Sequence, residues 1–449
     1  MKLMLDEGGV VALKNIILGN PSFSCVRQNG FAFVDKTKFI DALEKLPTAV
    51  PVFLRPRRFG KSFLADMLYS YYDRSLEGEF ERTFKGTWIY SHKTPKASSY
   101  YCLRLDFSSV SARPDKVEIS MMEELAGSIG RFSTTYPELG ISNVEADLKA
   151  FESPSDMLKK FLNGFSDKAA KGERLFIIID EYDHFANDIL ESSKKAFKEI
   201  TSTSFDHEGF IKQFYACLKQ YYGGSRYAPI ERFFITGVSS VSLNSVTSGF
   251  NIATNISSDA RFNAMAGFTS EELSKQIDET IDGGVIAKTG KDNLLDAMRK
   301  YYDGYAFSMH APEHVFNSSM CLAFVASVAQ SGSIPDIMPS GAGDDIAMIG
   351  RMLSPADQNS QDRISDSIFS RNDISSAEPR ELNLNSTGLL DFDQAVWMLY
   401  FMGYLTMDSS SGATQYRCPN EITYRSFINY IVGRKKICNG ALGNGAPHS

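Results

Sequence analysis

The stretch LFIIIDEYD at residues 175–183 sets five consecutive apolar residues, three of them isoleucine, ahead of two adjacent carboxylates. A run that short, β-branched and apolar on both faces reads as a strand covered by helices on each side. Three other runs of six or seven residues share this character: AVPVFL (49–54), YCLRLDF (101–107) and RFFITG (232–237). Between them the apolar period lengthens to that of a helix. SFLADMLYSYYD places Phe63, Leu64, Met67, Leu68, Tyr71 and Tyr72 on one stripe beginning near Ser62. MMEELAGSIGRF, DMLKKFLNGF and FIKQFYACLKQYYGG are also helical by pattern, the last closing at Gly223 and Gly224. Strands alternating with helical segments long enough for right-handed crossovers predict an α/β domain with a parallel sheet rather than a sandwich.

The alternation stops near residue 271. SEELSKQIDETI and DNLLDAMRKYYDGY are helical by pattern, and no comparable buried strand follows for a long stretch. Residues 331–385, with SGSIP, SGAGDD and SPADQNSQDR, are polar and loop-rich, whereas FDQAVWMLYFMGYLTM (392–407) is apolar enough to demand burial. A chain of 449 residues also exceeds the roughly 250 to 300 residues that one core usually serves. The expected organisation is a lead-in segment 1–45, an α/β domain 46–270, and a mostly helical module 271–430 with a loop-rich insert near 331–385. A disordered tail 431–449, ending in GNGAPHS, would follow, and no internal repeat is visible.

A net charge of −7 gives the chain no global positive field for nucleic acid or an anionic membrane, so any such contact would need a local patch. The cysteines at 25, 102, 217, 321, 418 and 438 form no CxxC pair, which argues against a disulfide framework and a structural zinc site. They read as buried thiols in a reducing compartment. The opening MKLMLDEGG puts Asp6 and Glu7 where a signal peptide needs an apolar run. No segment approaches the ~18 uninterrupted apolar residues of a membrane span. These features predict an intracellular, cytoplasmic protein with no membrane segment.

In FLRPRRFGKSFL a strand runs into a turn carrying Gly60, Lys61 and Ser62, and a helix starts at once. That geometry aims free backbone N–H groups at a phosphate. Gly60 lets the backbone approach the phosphates, Lys61 reaches their oxygens as a point charge, and the Ser62 hydroxyl can ligate magnesium. The backbone from Arg57, Arg58 and Phe59 through Phe63 completes the candidate cofactor-binding loop. The implied ligand is a nucleoside triphosphate, ATP, with Mg2+. The first glycine of GxxxxGK(S/T) is replaced by Arg55, so on the loop alone a chance GKS tripeptide competes evenly with a phosphate site. Of the three arginines Arg55, Arg57 and Arg58, at least two are expected to be structural.

The second motif resolves that competition. LFIIIDEYD places Asp180 and Glu181 at the C-terminal edge of a buried strand, where α/β sheets bind their ligands. Asp180 would hold the metal, and Glu181 would orient or deprotonate the attacking water, alongside Lys61 and Thr236 as the candidate catalytic set. Thr236, at the tip of RFFITG ahead of GVSSVSLNSVTSGFNIATN, is the candidate sensor of the terminal phosphate, though a β-former closing a strand would look the same. Asp106 is a weaker candidate for support. The intervening YCLRLDF run and the Asp-Glu pair favour the additional-strand group of ATPases over nucleotide kinases and GTPases.

With these residues in place, the chain resembles the AAA-ATPase-like family, P-loop ATPases often followed by a PD-(D/E)XK-type nuclease domain. The blocks that carry the likeness are FVDKTKFIDALE, FLRPRRFGKSFLADMLYSYYD, YCLRLDFSSV, LFIIIDEYD, FFITGVSSVSLNSVTSGFNIATNISSDARFNAMAGFTSEEL, YYDGYAFS and FMGYLTM, over about residues 31–430. The resemblance implies a P-loop NTPase parallel sheet of the additional-strand, AAA-like type over 46–270, followed by a mostly helical module. An Arg-Pro-Arg-Arg-Phe-Gly-Lys-Ser loop is usual in that family, so Arg55 in place of glycine fits it. The resemblance also implies that Asp180 and Glu181 are the metal and water carboxylates and that Thr236 lies on the sensor strand. Arg261 is a possible arginine finger, with a salt bridge the competing account. The chain departs from the pattern after CPNEITYRSFINYI, where no Asp followed by an ExK-type site is found, so the nuclease half is expected to be absent.

The leading expectation is Mg-dependent ATP hydrolysis that moves the helical module and passes the motion to a protein partner. Two alternatives are a nucleotide-gated interaction protein with negligible turnover, and the ATPase part of a nuclease-associated mobile-element or defence system.

Overall fold

The computed structural model describes residues 3–6, 9–19, 21–141, 148, 150–170, 172–192, 196, 203–204, 207–225, 227–240, 250–339, 345–380, 382, 390–408 and 414–443. The chain divides into two compact units. One is Lys14–Ala266; the other joins Gly267–Ser449 with Met1–Leu13.

In the first unit, the four apolar runs form strands β1 (Pro51–Leu54), β2 (Tyr101–Asp106), β3 (Leu175–Asp180) and β4 (Ile230–Gly237). A short fifth strand, β5 (Thr254–Asn255), completes the sheet. All neighbours pair in parallel, in the order β2-β3-β4-β1-β5. All six residues of β3 are buried, as a central strand with helices on both faces requires. The register places Asp106 beside Asp180, Phe53 beside Thr236 and Leu54 beside Gly237. Parallel strands end on the same edge, so this register gathers the exits of β1, β2, β3 and β4 there. β4 separates the strand that leads into the GKS turn from the strand that ends in the acids. The sheet therefore carries the additional strand expected of the AAA-like type.

The helix after β1, α1 (Lys61–Tyr72), buries Leu64, Met67, Leu68, Tyr71 and Tyr72. The predicted crossover helices are present as Val117–Thr135, Pro154–Lys168 and Phe210–Gln220. The last ends at Gln220, short of the glycine pair expected to close it. Ser153 caps the helix Pro154–Lys168 by accepting the Asp156 N–H, and proline occupies its first turn, where no donor is needed.

The first unit takes in most of the segment expected to be a lead-in. Phe23 is fully buried between the Phe63 and Phe84 rings, with centroids 5.5 and 5.4 Å away. Arg27 donates to the carbonyls of Thr83 and Lys85, which ties the short helix Phe23–Gln28 to the chain that follows α1.

The second unit is largely helical. Thr269 and Glu272 form a reciprocal capping box at the start of Ser270–Thr280, and Lys291–Tyr302 and Ser318–Ser331 follow. Three short antiparallel strands run in the order Ile374–Ser375, Gln415–Arg417, Thr406–Asp408. The region expected to be loop-rich contains two helices, Asp345–Leu353 and Gln358–Phe369. Its apolar residues are few but correctly spaced: Ile349, Met352, Leu353, Ile364 and Ile368 are all buried, and Asp357 caps the second helix. Residues 340–344, within SGAGDD, lie outside the described residues. The apolar stretch at 392–407 is buried as expected, with Phe392–Phe401 helical. The expected structureless tail is instead helical as far as Gly443, in a helix that starts at Glu421 and buries Phe427 and Ile431.

Among the described residues no helix is long and apolar enough to cross a membrane. The described cysteines are all free, with Cys102, Cys217 and Cys321 buried.

Candidate functional site

At the exit of β1 the chain reaches Arg55, whose side chain turns inward and is 1% exposed. Its guanidinium donates to the carbonyls of Leu54 and Ser257 at 2.8 Å each and of Phe262 at 2.9 Å, and lies over the Phe53 ring. Arginine thus stands in the glycine position because its forked donors satisfy three buried carbonyls. Arg55→Gly, which would complete the sequence pattern, is expected to lower stability by about 3 kcal/mol or more, since those carbonyls lose a charged partner. Urea unfolding reads this directly, and an unshifted midpoint would contradict the role given to Arg55.

Arg57 and Arg58 differ from Arg55. Both are exposed, and neither makes an ion pair or hydrogen bond among the described residues. Among the described residues only Arg55 of the three loop arginines is held by partners, where at least two were expected to be structural. Arg58 adopts φ +72°, a left-handed backbone unusual for a residue with a Cβ. Gly60 follows at φ +88° as the N-cap of α1, with no side-chain cap. The first intrahelical bond runs from Leu64 N–H to Gly60 C=O at 3.0 Å. The amides of Lys61, Ser62 and Phe63 thus lie in the first turn, where N–H groups have no intrahelical acceptor. Phe59 and Phe63 can offer only backbone: Phe59 is in the core and the Phe63 ring packs on Phe23.

Lys61 is 4% exposed. Its Nζ lies 3.2 Å from Glu181 Oε1 and donates weakly to Pro56 O at 3.4 Å. Asp180, the last residue of β3, is fully buried. One of its oxygens accepts the Glu181 N–H at 3.1 Å; the other, Oδ2, has no hydrogen-bond partner among the described residues. Burial pushes the Asp180 carboxyl up to about 6. The nearby Ser62 side chain opposes this, the charges of Glu181 and Asp106 add to the rise, and Lys61 offsets part of it. The residues from either side of β4 thus converge: Lys61 on Glu181, and Ser62 on Asp180.

Two expected residues stand apart. Thr236 is fully buried and its hydroxyl donates to Phe53 O at 2.9 Å, so it ties β4 to β1. Arg261 is exposed and held by Asp259, with its closest contact at 2.6 Å. Asp106 accepts from Ser108 N–H in its own turn and reaches the site only through its charge.

Sequence reasoning missed Arg104, which donates to Asp66 of α1 at 2.8 Å and approaches Asp180 Oδ2 to 3.9 Å. The only signal was a cation inside an otherwise apolar strand run. A cavity of about 530 Å³ beyond Arg104 is lined by Tyr69, Asp106, Glu124, Arg131 and Phe132, and the four converging residues do not line it.

The sequence profile of the AAA-ATPase-like family, described as Predicted AAA-ATPase, matches residues 18–247. The chain belongs to that family. The matched span covers the GKS turn, the Asp-Glu pair and all of β4, so the family assignment and the converged residues refer to the same part of the molecule. A curated protein of Azotobacter chroococcum mcd 1, described as an uncharacterized protein in the vnfD 5' region, is 28% identical over 312 residues. That alignment covers 68% of this chain but 51% of the relative, so the chain spans about half the length of the relative it matches. A solved structure of Drosophila ORC bound to DNA aligns over 95% of both chains, with 8% identity and a TM-score of 0.30. A score that low carries no argument about this family member's fold, which rests on its own strand order.

Proposed function

We propose that this AAA-ATPase-like protein binds Mg-ATP at the α1 N-terminus and hydrolyses it. The observation that carries the reading is the convergence across β4: Lys61 Nζ lies 3.2 Å from Glu181 Oε1, and the Ser62 side chain and the Lys61 charge both act on the Asp180 carboxyl. Among the described residues no group of three or more His, Cys, Asp or Glu could hold a metal ion. Magnesium binds through one or two protein oxygens together with phosphate and water. Asp180 Oδ2, which takes no hydrogen bond among the described residues, and the Ser62 hydroxyl fit that demand and would hold the ion. When bound, magnesium neutralises charge on the phosphate oxygens.

The chain's own groups supply the rest. First-turn amides and the Lys61 ammonium bind the phosphates. Glu181 orients the water and accepts its proton. Lys61 Nζ lies 3.2 Å from Glu181 Oε1, so a Lys61 that turns to the phosphate would free the carboxylate for water. Arg57 and Arg58, exposed and unpaired among the described residues, are placed to add cationic contacts to the phosphate chain. The net charge of −7 supports a protein rather than a nucleic-acid partner for the helical unit.

Asp180→Asn tests the reading through two opposed effects. The folded carboxyl titrates near 6, above its ordinary 3.8, so the folded state holds the proton more tightly between those values. Stability from this group is fullest at low pH and is lost as pH rises through 6. At pH ~7.5 without nucleotide, the asparagine variant is expected to be about 2 kcal/mol more stable than the parent, with a smaller gap at pH ~5. Mg-dependent ATP turnover should fall by about 100-fold or more. A variant that is less stable and still turns over at the parental rate would remove Asp180 from the site.

A further inference from the structure

Glu181 follows β3 directly and adopts φ +51°. A left-handed backbone at a residue with a side chain persists only where its neighbours hold it in place. On the downstream side the holders are Tyr182 and Asp183. The Tyr182 N–H donates to Thr236 O at 3.1 Å, and its hydroxyl donates to Ser239 O at 2.6 Å. Asp183 is fully buried. Its Oδ1 accepts the Val238 N–H at 3.0 Å, and its Oδ2 accepts the Ser239 N–H and the Asn187 amide at 2.7 Å each, with Ser239 Oγ 2.9 Å away. Burial and the Glu181 charge push the Asp183 carboxyl up, and these donors oppose the rise.

Gly237 makes the approach possible. A Cβ there would lie 2.3 Å from Asp183 Oδ1 and 2.5 Å from Tyr182 Cδ1. The same glycine's carbonyl accepts the N–H of Arg55, the first residue of the phosphate loop, at 3.1 Å. One short turn, Gly237–Ser239, therefore anchors both halves of the site.

We propose that Asp183 is the positioning residue that fixes Glu181 against the phosphate loop, acting through the Gly237–Ser239 turn that both share. This rests on the reading of Glu181 as the residue that handles water. Asp183 contacts no reacting group; its buried oxygens are committed to the turn and to Asn187. A purely structural role would cost stability and leave the kinetics of each folded molecule unchanged.

The test is Asp183→Asn, which is nearly isosteric but turns an N–H donor toward the Ser239 N–H. Hydrogen exchange at the amides of Arg55, Val238 and Ser239 should speed up about 10-fold or more. Per folded molecule, kcat should fall about 30-fold while KM for Mg-ATP stays within about 3-fold, because misplacing the group that handles water affects the chemical step and not the binding of phosphate. Asn187→Ala removes one donor from the same carboxylate and should shift kcat the same way by about 3-fold; it carries the measurement if the first variant does not fold. Unchanged kcat with faster exchange at Val238 and Ser239, or unchanged exchange at those amides, overturns the proposal. If the parent turns over ATP no faster than Lys61→Ala, it is the reading of the site as a hydrolase that fails. The shared anchor is then decided by exchange alone, and an Arg55 amide indifferent to Asp183→Asn refutes it.

Discussion

Glu181→Gln is expected to lower ATP turnover about 100-fold or more while Mg-ATP affinity stays within about 3-fold of the parent. General base catalysis by a positioned carboxylate contributes roughly 10²- to 10⁴-fold, and the amide removes the base while preserving shape. The substitution is also mild structurally. The Glu181 side chain is 17% exposed and its ion pair with Lys61 becomes a hydrogen bond from the ammonium to the amide oxygen, so the fold should tolerate it. Single-turnover hydrolysis with radiolabelled ATP checks the prediction, because it separates chemistry from product release. Hydrolysis at the parental rate would show that Glu181 handles no water. A parent that binds ATP and is as slow as the variant would favour a nucleotide-gated binding protein instead.

Lys61→Ala should act on the other side of the ledger of rate and affinity. Losing charge-assisted hydrogen bonds to the phosphates costs about 1.5 to 3 kcal/mol, or roughly 10- to 100-fold in affinity for ATP. Turnover should fall as well, since the ammonium is expected to follow charge onto the transferring phosphoryl group. The variant also leaves Glu181 without its partner, so a modest stability loss is expected and should be measured beside the binding. Equal ATP affinity in parent and variant would mean that the GKS turn is an ordinary helix start.

How much of this was legible in the sequence depends on whether the information is local. LFIIIDEYD announces a buried strand ending in acids, because run length and β-branching are properties of consecutive residues, and the strand indeed ends at Asp180. The GKS turn is equally local. The insertion of β4 between β1 and β3 is a pairing of segments far apart in the chain; the order of the runs and the Asp-Glu pair favoured an additional strand and the likeness to a family implied it, but periodicity did not show which run it is. Thr236 shows the limit at one residue: its type and place at a strand tip are readable, but not the direction of its hydroxyl, which points to Phe53 O. Arg55 shows the same limit, since the carbonyls it satisfies lie some two hundred residues on, at Ser257 and Phe262. Arg104 and Asp183 went unnoticed because their partners, Asp66 and the turn after β4, are brought in only by tertiary structure. The helices Asp345–Leu353 and Gln358–Phe369 were hidden by polar composition, although five well-spaced apolar residues were enough to bury one face of each. The part of GVSSVSLNSVTSGFNIATN at 241–249 lies outside the described residues.

The central claim is that Lys61 and Asp180 act on one magnesium triphosphate, and a double-mutant cycle measured by calorimetric titration of Mg-ATP tests it most directly. The account predicts strong coupling: Lys61→Ala and Asp180→Asn each weaken binding, and the double variant binds about as weakly as the weaker single one, with an interaction energy of about 1 kcal/mol or more. Losses that simply add, or a parent that takes up no Mg-ATP, would contradict it.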